Sequence, residues 1–359
     1  MTIQSLATLR AHAIGQSLFP PTTLQGAIDR LAFVQADPIR SPARAQDLIL
    51  RHRAVNYRAG DLERQYASLN VEEDYLYAYG FLAMPVWQLL HPRKTGRLRS
   101  FEKKVLDIVL KLGEAHPRVL ETHLGKRRVV NAWGGYSKAT TDALEWLHWR
   151  GLLRIARRER GIRVYRPAAL GDRAASPADR LRSLILVYAR IFAPSPEKSL
   201  QSVIARHREL GNTRETLTAM IRGGELQSGS IDGVSYVWPN DRVDLEVARQ
   251  VRFLAPFDPV VWDRARFEHL WGWTYRFEAY TPVKKRIRGY YAMPMLWMDE
   301  FTGWVNVTII DRKMDVDVGY VRKKRRDAEF RRQLDAEIAR LEEFLQSPRD
   351  ISLASGYGI

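Results

Sequence analysis

Apolar positions recur along the first half of the chain at helical spacing, broken by prolines and one short strand-like run. Leu6, Leu9 and Ile14 predict a helix over residues 4–16, and Pro20-Pro21 ends it. Thr22 or Thr23 is placed to cap a second helix carrying Leu24, Ala27, Ile28 and Leu31. A strand-like run over 31–35 stops at Asp37-Pro38. Residues 42–53 read as a helix with Ala45, Leu48 and Ile49 inward and Arg44, Arg51, His52 and Arg53 around them. The aromatic stretch Tyr75 to Tyr79 then leads to Met84-Pro85.

From about residue 100 a theme repeats. Phe101, Val105, Ile108, Val109 and Leu112 give a helix, Val119 to Leu124 a short one, and Lys138 to Trp149 a third. Two strands, 151–155 and 162–165, follow around the turn Glu159-Arg160-Gly161. The order returns as helices near 181–192, 200–205 and 214–221, then a hairpin around Asp232-Gly233. Helix, helix, helix, hairpin is the winged-helix order, so at least two such units are expected. After Pro239 the pattern changes to alternation across 274–325, with turns at Asp299-Glu300 and Asp311-Arg312, the signature of a small antiparallel sheet or barrel. Residues 326–345 predict a last amphipathic helix with Phe330, Leu334, Ile338 and Leu341 on one face, and the tail past Pro348 is expected to be loose.

The expected architecture is therefore α+β: tandem winged helices forming a basic concave surface, then a C-terminal small antiparallel β-barrel. The boundaries are 1–98 for an N-terminal winged-helix-like domain, 99–172 and 173–240 for two further winged helices, 241–325 for the barrel, and 326–359 for the helix and tail.

Charge sharpens this picture. Lys and Arg total 57 against 41 Asp and Glu, a formal net charge of +16, which favours nucleic acid or anionic surfaces as partners. The apolar stretches are too short for a membrane span, and the N-terminus does not read as a signal peptide. With no cysteine, and eight scattered histidines lacking a zinc spacing, neither metal nor cofactor is expected. A cytoplasmic monomer, associated with the nucleoid when bound to DNA, fits these features.

Two phrases place polar side chains in apolar surroundings, where an uncompensated polar group is costly. They are Phe33-Val34-Gln35-Ala36-Asp37-Pro38-Ile39 and Phe257-Asp258-Pro259-Val260-Val261-Trp262-Asp263-Arg264. In an extended segment Gln35 and Asp37 share a face and can hold one water between them, with Ala36 turned to the core. The alternative is that both only cap the turn before Pro38. Asp258, Trp262 and Asp263 read as a site wall or as a buried network, in which Asp258 binds backbone amides and Asp263 pairs with Arg264 or Arg266.

These residues resemble the AlkZ/YcaQ-type DNA glycosylase family. The resemblance covers nearly the whole chain and rests on FVQADPI at 33–39, GGYSKATTDALEWLHWRGLL at 134–153, LAPFDPVVWDR at 254–264 and YTPVKKRIRGYYAMPML at 280–296. It implies tandem winged helices with a C-terminal barrel, and hydrolysis of the N-glycosidic bond of alkylated purines, N7-alkylguanine and interstrand crosslinks included. The family signature is Gln, a hydrophobic residue, then Gln or Asp. Gln35-Ala36-Asp37 matches the Asp version, which resembles the YcaQ branch and makes Gln35 and Asp37 the catalytic candidates. Tyr77 and Tyr79 stand where relatives carry Trp and His, so Tyr79 is also a site candidate. Ala36 is smaller than the usual aliphatic residue.

The residue types suit that chemistry. Alkylation at N7 makes guanine a ready leaving group, so the protein must supply a placed water and negative charge near the developing oxocarbenium sugar. No lysine adjoins Gln35 or Asp37 to act as a Schiff-base nucleophile. Candidate DNA contacts are Arg40 and Arg44 near the motif, Lys94 and Arg97 in a loop, Ser137 and Lys138 at the start of a recognition helix, Arg157, Arg158 and Arg160 in a wing, and Lys284, Lys285 and Arg286. A further basic run lies at Lys323 to Arg326. The expected partner is double-stranded DNA carrying alkylated or crosslinked purines. The competing reading is a non-catalytic winged-helix regulator, which has no use for Gln35 and Asp37.

Overall fold

The computed structural model describes residues 5–93, 96–130, 134–168, 175–311, 313–322, 324–325 and 327–346. The expected loose tail, Lys94, Arg312, Lys323, Arg326 and the 172/173 boundary lie outside them. The chain opens with α1 (Leu6–Ser17), α2 (Leu24–Leu31), β1 (Phe33–Gln35) and α3 (Ala45–Leu50). Thr23, not Thr22, caps α2, accepting from Gly26 N at 3.1 Å. α4 (Asp61–Gln65) leads to the hairpin β2 (Val71–Tyr75) and β3 (Tyr79–Ala83), which the sequence pattern did not announce, and α5 (Met84–Leu90) follows. β3 is the middle strand of a three-stranded sheet, with Phe33 opposite Leu82 and Gln35 opposite Gly80. A Cβ at Gly80 would run into the Val34 carbonyl and the Phe33 ring, so only glycine lets β1 lie this close.

The repeat follows in the expected order. It comprises α6 (Ser100–Leu112), α7 (Pro117–Leu124), a small β4 (Arg128–Val130) and β5 (Tyr136–Lys138) pair, α8 (Ala139–Trp149), and the hairpin β6 (Leu153–Glu159) and β7 (Ile162–Pro167). The second round is α9 (Pro177–Ile191), β8 (Ser195–Pro196), α10 (Glu197–Ile204), α11 (Thr213–Arg222), β9 (Leu226–Ile231) and β10 (Val234–Pro239).

The C-terminal region has β11 (Val251–Phe253), α12 (Pro259–Trp262), α13 (Arg264–Trp271), β12 (Met293–Trp297), β13 (Glu300–Ile310), β14 (Lys313–Tyr320) and α14 (Ala328–Leu345). Here the expected barrel is corrected. The four strands pair in the order β11-β12-β13-β14, and no pairing among the described residues closes them. The reason lies at the β11 edge, which α14 covers. Glu337 accepts from Phe253 N at 3.0 Å, and Arg340 donates to Val251 O at 3.3 Å. A helix supplying those edge hydrogen bonds removes the need for closure. Residues 274–292 are also not strand, carrying only a single 3₁₀ turn at Val283–Lys285.

Arg53 overturns another expectation. Placed at the solvent side by the sequence pattern, it is fully buried. It donates to Ser17 O at 2.7 Å and Ile49 O at 2.7 Å, and forms two bonds with Asp258. The N-terminal α1 packs with α12 and α13 in one core that includes Leu9, Ile14, Val261, Phe267 and Trp271.

Candidate active site and nucleic-acid surface

Gln35 ends β1, and the ladder runs one residue further, with Ala36 N donating to Tyr79 O at 3.0 Å. That keeps the segment extended and puts Gln35 and Asp37 on one face, while Ala36 packs toward the core. Gln35 is only 8% exposed, and its Oε1 has no hydrogen-bond partner. Asp37 is half-buried, and its Oδ1 accepts from Ile39 N at 2.9 Å. Its other oxygen makes no hydrogen bond among the described residues. The turn-capping role therefore occupies one oxygen and leaves the second available. Burial raises the Asp37 carboxyl above the ordinary value, against the lowering effect of the Ile39 amide.

Sequence reasoning missed Tyr291. It is 3% exposed, and its hydroxyl also lacks a partner. Burial pushes that hydroxyl well above its ordinary pKa, and the charge of Asp37 pushes it further. Tyr291 thus stays protonated, a donor within electrostatic reach of the Asp37 carboxylate. Its trace in the sequence is its place inside the phrase 280–296, directly after the basic run. A buried polar group left unsatisfied costs about 1–3 kcal/mol. Gln35 Oε1 and the Tyr291 hydroxyl are two such groups, and the Asp37 carboxyl is raised by burial.

The second phrase is structural. Asp258 is fully buried, paired with Arg53, and caps α12 through Val260 N at 3.1 Å. Asp263 caps α13, accepting from Ala265 N and Arg266 N, both at 3.1 Å. Among the described residues it forms no ion pair with Arg264 or Arg266, whose guanidiniums donate to carbonyls, Arg264 to Val261 O and Pro256 O, Arg266 to Phe192 O, Pro259 O and Val260 O; Asp263 Oδ2 and Arg266 Nε are left unpartnered. Trp262 packs against Tyr77 at 4.7 Å and Phe192 at 4.8 Å between ring centroids. Tyr77 is buried core. Tyr79 is locked by its hydroxyl, which donates to Glu73 and accepts from Arg163.

Glu73 belongs to a strand that no apolar alternation marks out. Glu72, Glu73 and Asp74 on β2 are all buried. Glu72 takes Arg154 at 2.8 Å and His148 at 3.2 Å, Asp74 takes His91 at 2.8 Å and Arg93 at 3.0 Å, and Glu73 takes Arg158 and Arg163. Burial alone would raise Glu73, but the Arg158 and Arg163 guanidiniums offset it and hold the carboxyl below the usual range. The β6–β7 hairpin is thereby clamped onto β2.

That clamp sorts the candidate DNA contacts. Arg158 is partly exposed and pairs with the buried Glu73 carboxylate. Arg157 pairs with Glu114 and Glu159, Arg44 with Glu63, and Lys138 with Glu121 at 2.8 Å. Ser137 and Lys138 lie on β5 rather than in α8, which starts at Ala139. Arg286 is tied to Thr281 O at 2.8 Å. Arg40, Arg97, Arg160, Lys284 and Lys285 are exposed, and no described acidic side chain pairs with them. Lys94 lies outside the described residues.

Comparison with known proteins gives two matches. The family model described as "DNA glycosylase AlkZ-like" matches residues 28–344. The fold is similar to the solved structure of the Streptomyces sahachiroi DNA glycosylase AlkZ, with a TM-score of 0.62 at 15% sequence identity, over 96% of this chain and 97% of that one.

Proposed function

This chain belongs to the AlkZ-like DNA glycosylase family, and we propose that it excises alkylated purines, N7-alkylguanine in particular, through Gln35 and Asp37. It is a monofunctional DNA glycosylase, a hydrolase of N-glycosyl bonds acting on DNA, and the regulator reading is set aside. The observation that carries the proposal is the half-buried Asp37 with one oxygen unclaimed among the described residues, two positions from the buried, unpartnered Gln35 Oε1.

The chemistry follows from these groups. The bond from the sugar C1′ to the purine N9 breaks, and its electron pair neutralises the cationic base. Water held by Gln35 Oε1 adds to C1′ and gives its proton to Asp37, whose charge also stabilises the oxocarbenium sugar. Tyr291 is a positioning residue, its protonated hydroxyl orienting Asp37 or the water.

We read residues 1–98, 99–172 and 173–240 as three winged-helix units and 241–325 as the sheet domain, with α14 and the tail closing the chain at 326–359. Together they form an open basic groove. Arg40, Arg97, Arg160, Lys284 and Lys285 are its phosphate contacts. A crosslinked base is tethered to the opposite strand and needs such room, so unhooking of N7-guanine crosslinks belongs to the same reading, with the protein acting as a monomer. The test is incubation with duplexes carrying N7-methylguanine or a defined N7-guanine crosslink. Free base with abasic sites supports the reading, as does resolution of the crosslink on a denaturing gel. Absence of base release overturns it. Release from monoadducts with an intact crosslink removes the crosslink part alone.

A further inference from the structure

The segment 280–290 presents a surface that the catalytic groups do not use. Tyr280 is 78% exposed, Val283 74%, Ile287 77% and Tyr290 42%. Scattered apolar exposure is ordinary, but here Val283 and Ile287 bracket Lys284 and Lys285 on one short loop, and no described acidic side chain pairs with either lysine.

The loop has no means of folding these side chains away, because its backbone is staked from beneath. The buried Glu278 carboxylate accepts from Ile287 N at 2.9 Å, Arg288 N at 2.8 Å and Gly289 N at 3.3 Å. Arg288 donates to Thr274 O at 2.9 Å and lies 5.3 Å from the Trp273 ring and 5.6 Å from that of Trp304. Asn306 donates to Arg288 O at 2.6 Å, and a Cβ on Gly289, at φ 129°, would run into the Asn306 side chain. Lys285 N donates to Pro282 O at 2.8 Å, which closes the tip. A rigid projection with bare valine and isoleucine carries a standing hydration cost that an occupant would relieve.

The occupant follows from where the loop ends. Its next residue is Tyr291, buried and with a hydroxyl unpartnered among the described residues, the positioning residue of the proposed site. Phe277 packs on both Tyr280 and Tyr291, at 6.1 and 5.4 Å between centroids, so the projection and the site share one aromatic base. We infer that the 280–290 loop is a wedge that enters the DNA groove beside the damaged nucleotide. Val283 and Ile287 press into the base stack while Lys284 and Lys285 hold the flanking phosphates. The inference rests on the glycosylase reading and adds how the duplex is opened at that site. Apolar insertion flanked by cations is how proteins unstack and kink a duplex.

The test uses the full chain and a duplex carrying N7-methylguanine next to 2-aminopurine, whose fluorescence rises on unstacking. All measurements are made at saturating protein, with the Val283→Ala/Ile287→Ala variant beside wild type. Expected are a fluorescence rise with wild type and its loss in the variant. Single-turnover excision falls about tenfold or more while affinity for undamaged duplex stays within about twofold. Ile287→Leu retains the rise, and an unchanged melting temperature shows that these exposed positions do not act through folding. A variant with wild-type fluorescence and excision overturns the wedge, as does the absence of any rise with wild type. So does a loop that binds anionic phospholipid vesicles and loses that binding on substitution, with the DNA signal intact. If wild type produces the rise and the variant loses it, yet neither releases any base, the wedge stands and the alkylpurine reading falls.

Discussion

Arg53 and Asp258, 205 positions apart, face each other through two hydrogen bonds of 2.8 and 3.0 Å with neither side chain exposed to solvent. The pair fastens the end of α3 to the start of α12. Each group also binds backbone, Arg53 at Ser17 O and Ile49 O, Asp258 at Val260 N. Asp258→Asn leaves a buried guanidinium without its counter-charge. A loss of roughly 3–5 kcal/mol is expected, read as a lower denaturation midpoint. A stability within 1 kcal/mol of wild type would show that the pair does not anchor this junction.

Asp37→Asn is expected to remove base excision by roughly 10²-fold or more while duplex binding stays nearly unchanged, because its charge matters most in the transition state. Gln35→Ala should cost less, on the order of tenfold, the value of one hydrogen bond to a water that other groups still hold. Single-turnover release of N7-methylguanine measures both. Wild-type turnover by Asp37→Asn sinks the assignment.

The pH profile tests the environment of Asp37. Its carboxyl is raised above the ordinary aspartate value of 3.8 by burial. Only the ionised form takes the proton from water, so activity falls as pH drops through the raised pKa. The acidic limb of kcat/KM should therefore lie above 3.8. Tyr291→Phe removes the buried, unpartnered hydroxyl proposed to orient the water, so kcat falls more than KM rises. An unchanged kcat in Tyr291→Phe makes the residue merely structural.

Arg158 and Arg160 are neighbours in the wing with opposite expected phenotypes. Arg158→Ala exposes Glu73 to a loss of roughly 1–3 kcal/mol of stability, with little change in DNA affinity at a temperature where the variant is folded. Arg160→Ala leaves stability unchanged and reduces the salt slope of duplex binding by roughly one unit. Salt titrations of both variants, paired with thermal melts, separate the two roles. Equal salt slopes for Arg160→Ala and wild type remove Arg160 from the DNA surface.

Much of the architecture was legible from local pattern. The helices α1, α2, α6 to α11 and α14, the turns at Arg160-Gly161 and Asp232-Gly233, and the strands around Val305 and Val316 follow from periodicity and turn chemistry. Those signals reside in residues a few positions apart. The β2–β3 hairpin escaped because Val71-Glu72-Glu73-Asp74-Tyr75 has no apolar alternation. Its burial depends on cations that arrive from α5 onward, as far away as Arg163.

By itself the sequence determined the order of most helices and of the two repeated hairpins, the basic balance and the short extended segment that puts Gln35 and Asp37 on one face. Only the tertiary structure decided which charges remain for a partner and which are consumed inside. A carboxylate taken out of water must find a cation, and Glu73, Asp258 and Glu337 claim Arg158, Arg53 and Arg51 from distant segments. It also buried the Tyr291 hydroxyl without a partner among the described residues and covered the β11 edge with α14, leaving an open sheet where alternation alone suggested a barrel. Periodicity reports which face of an element is apolar. Which elements meet across that face, and which polar groups stay unsatisfied there, depends on contacts between residues far apart in the chain.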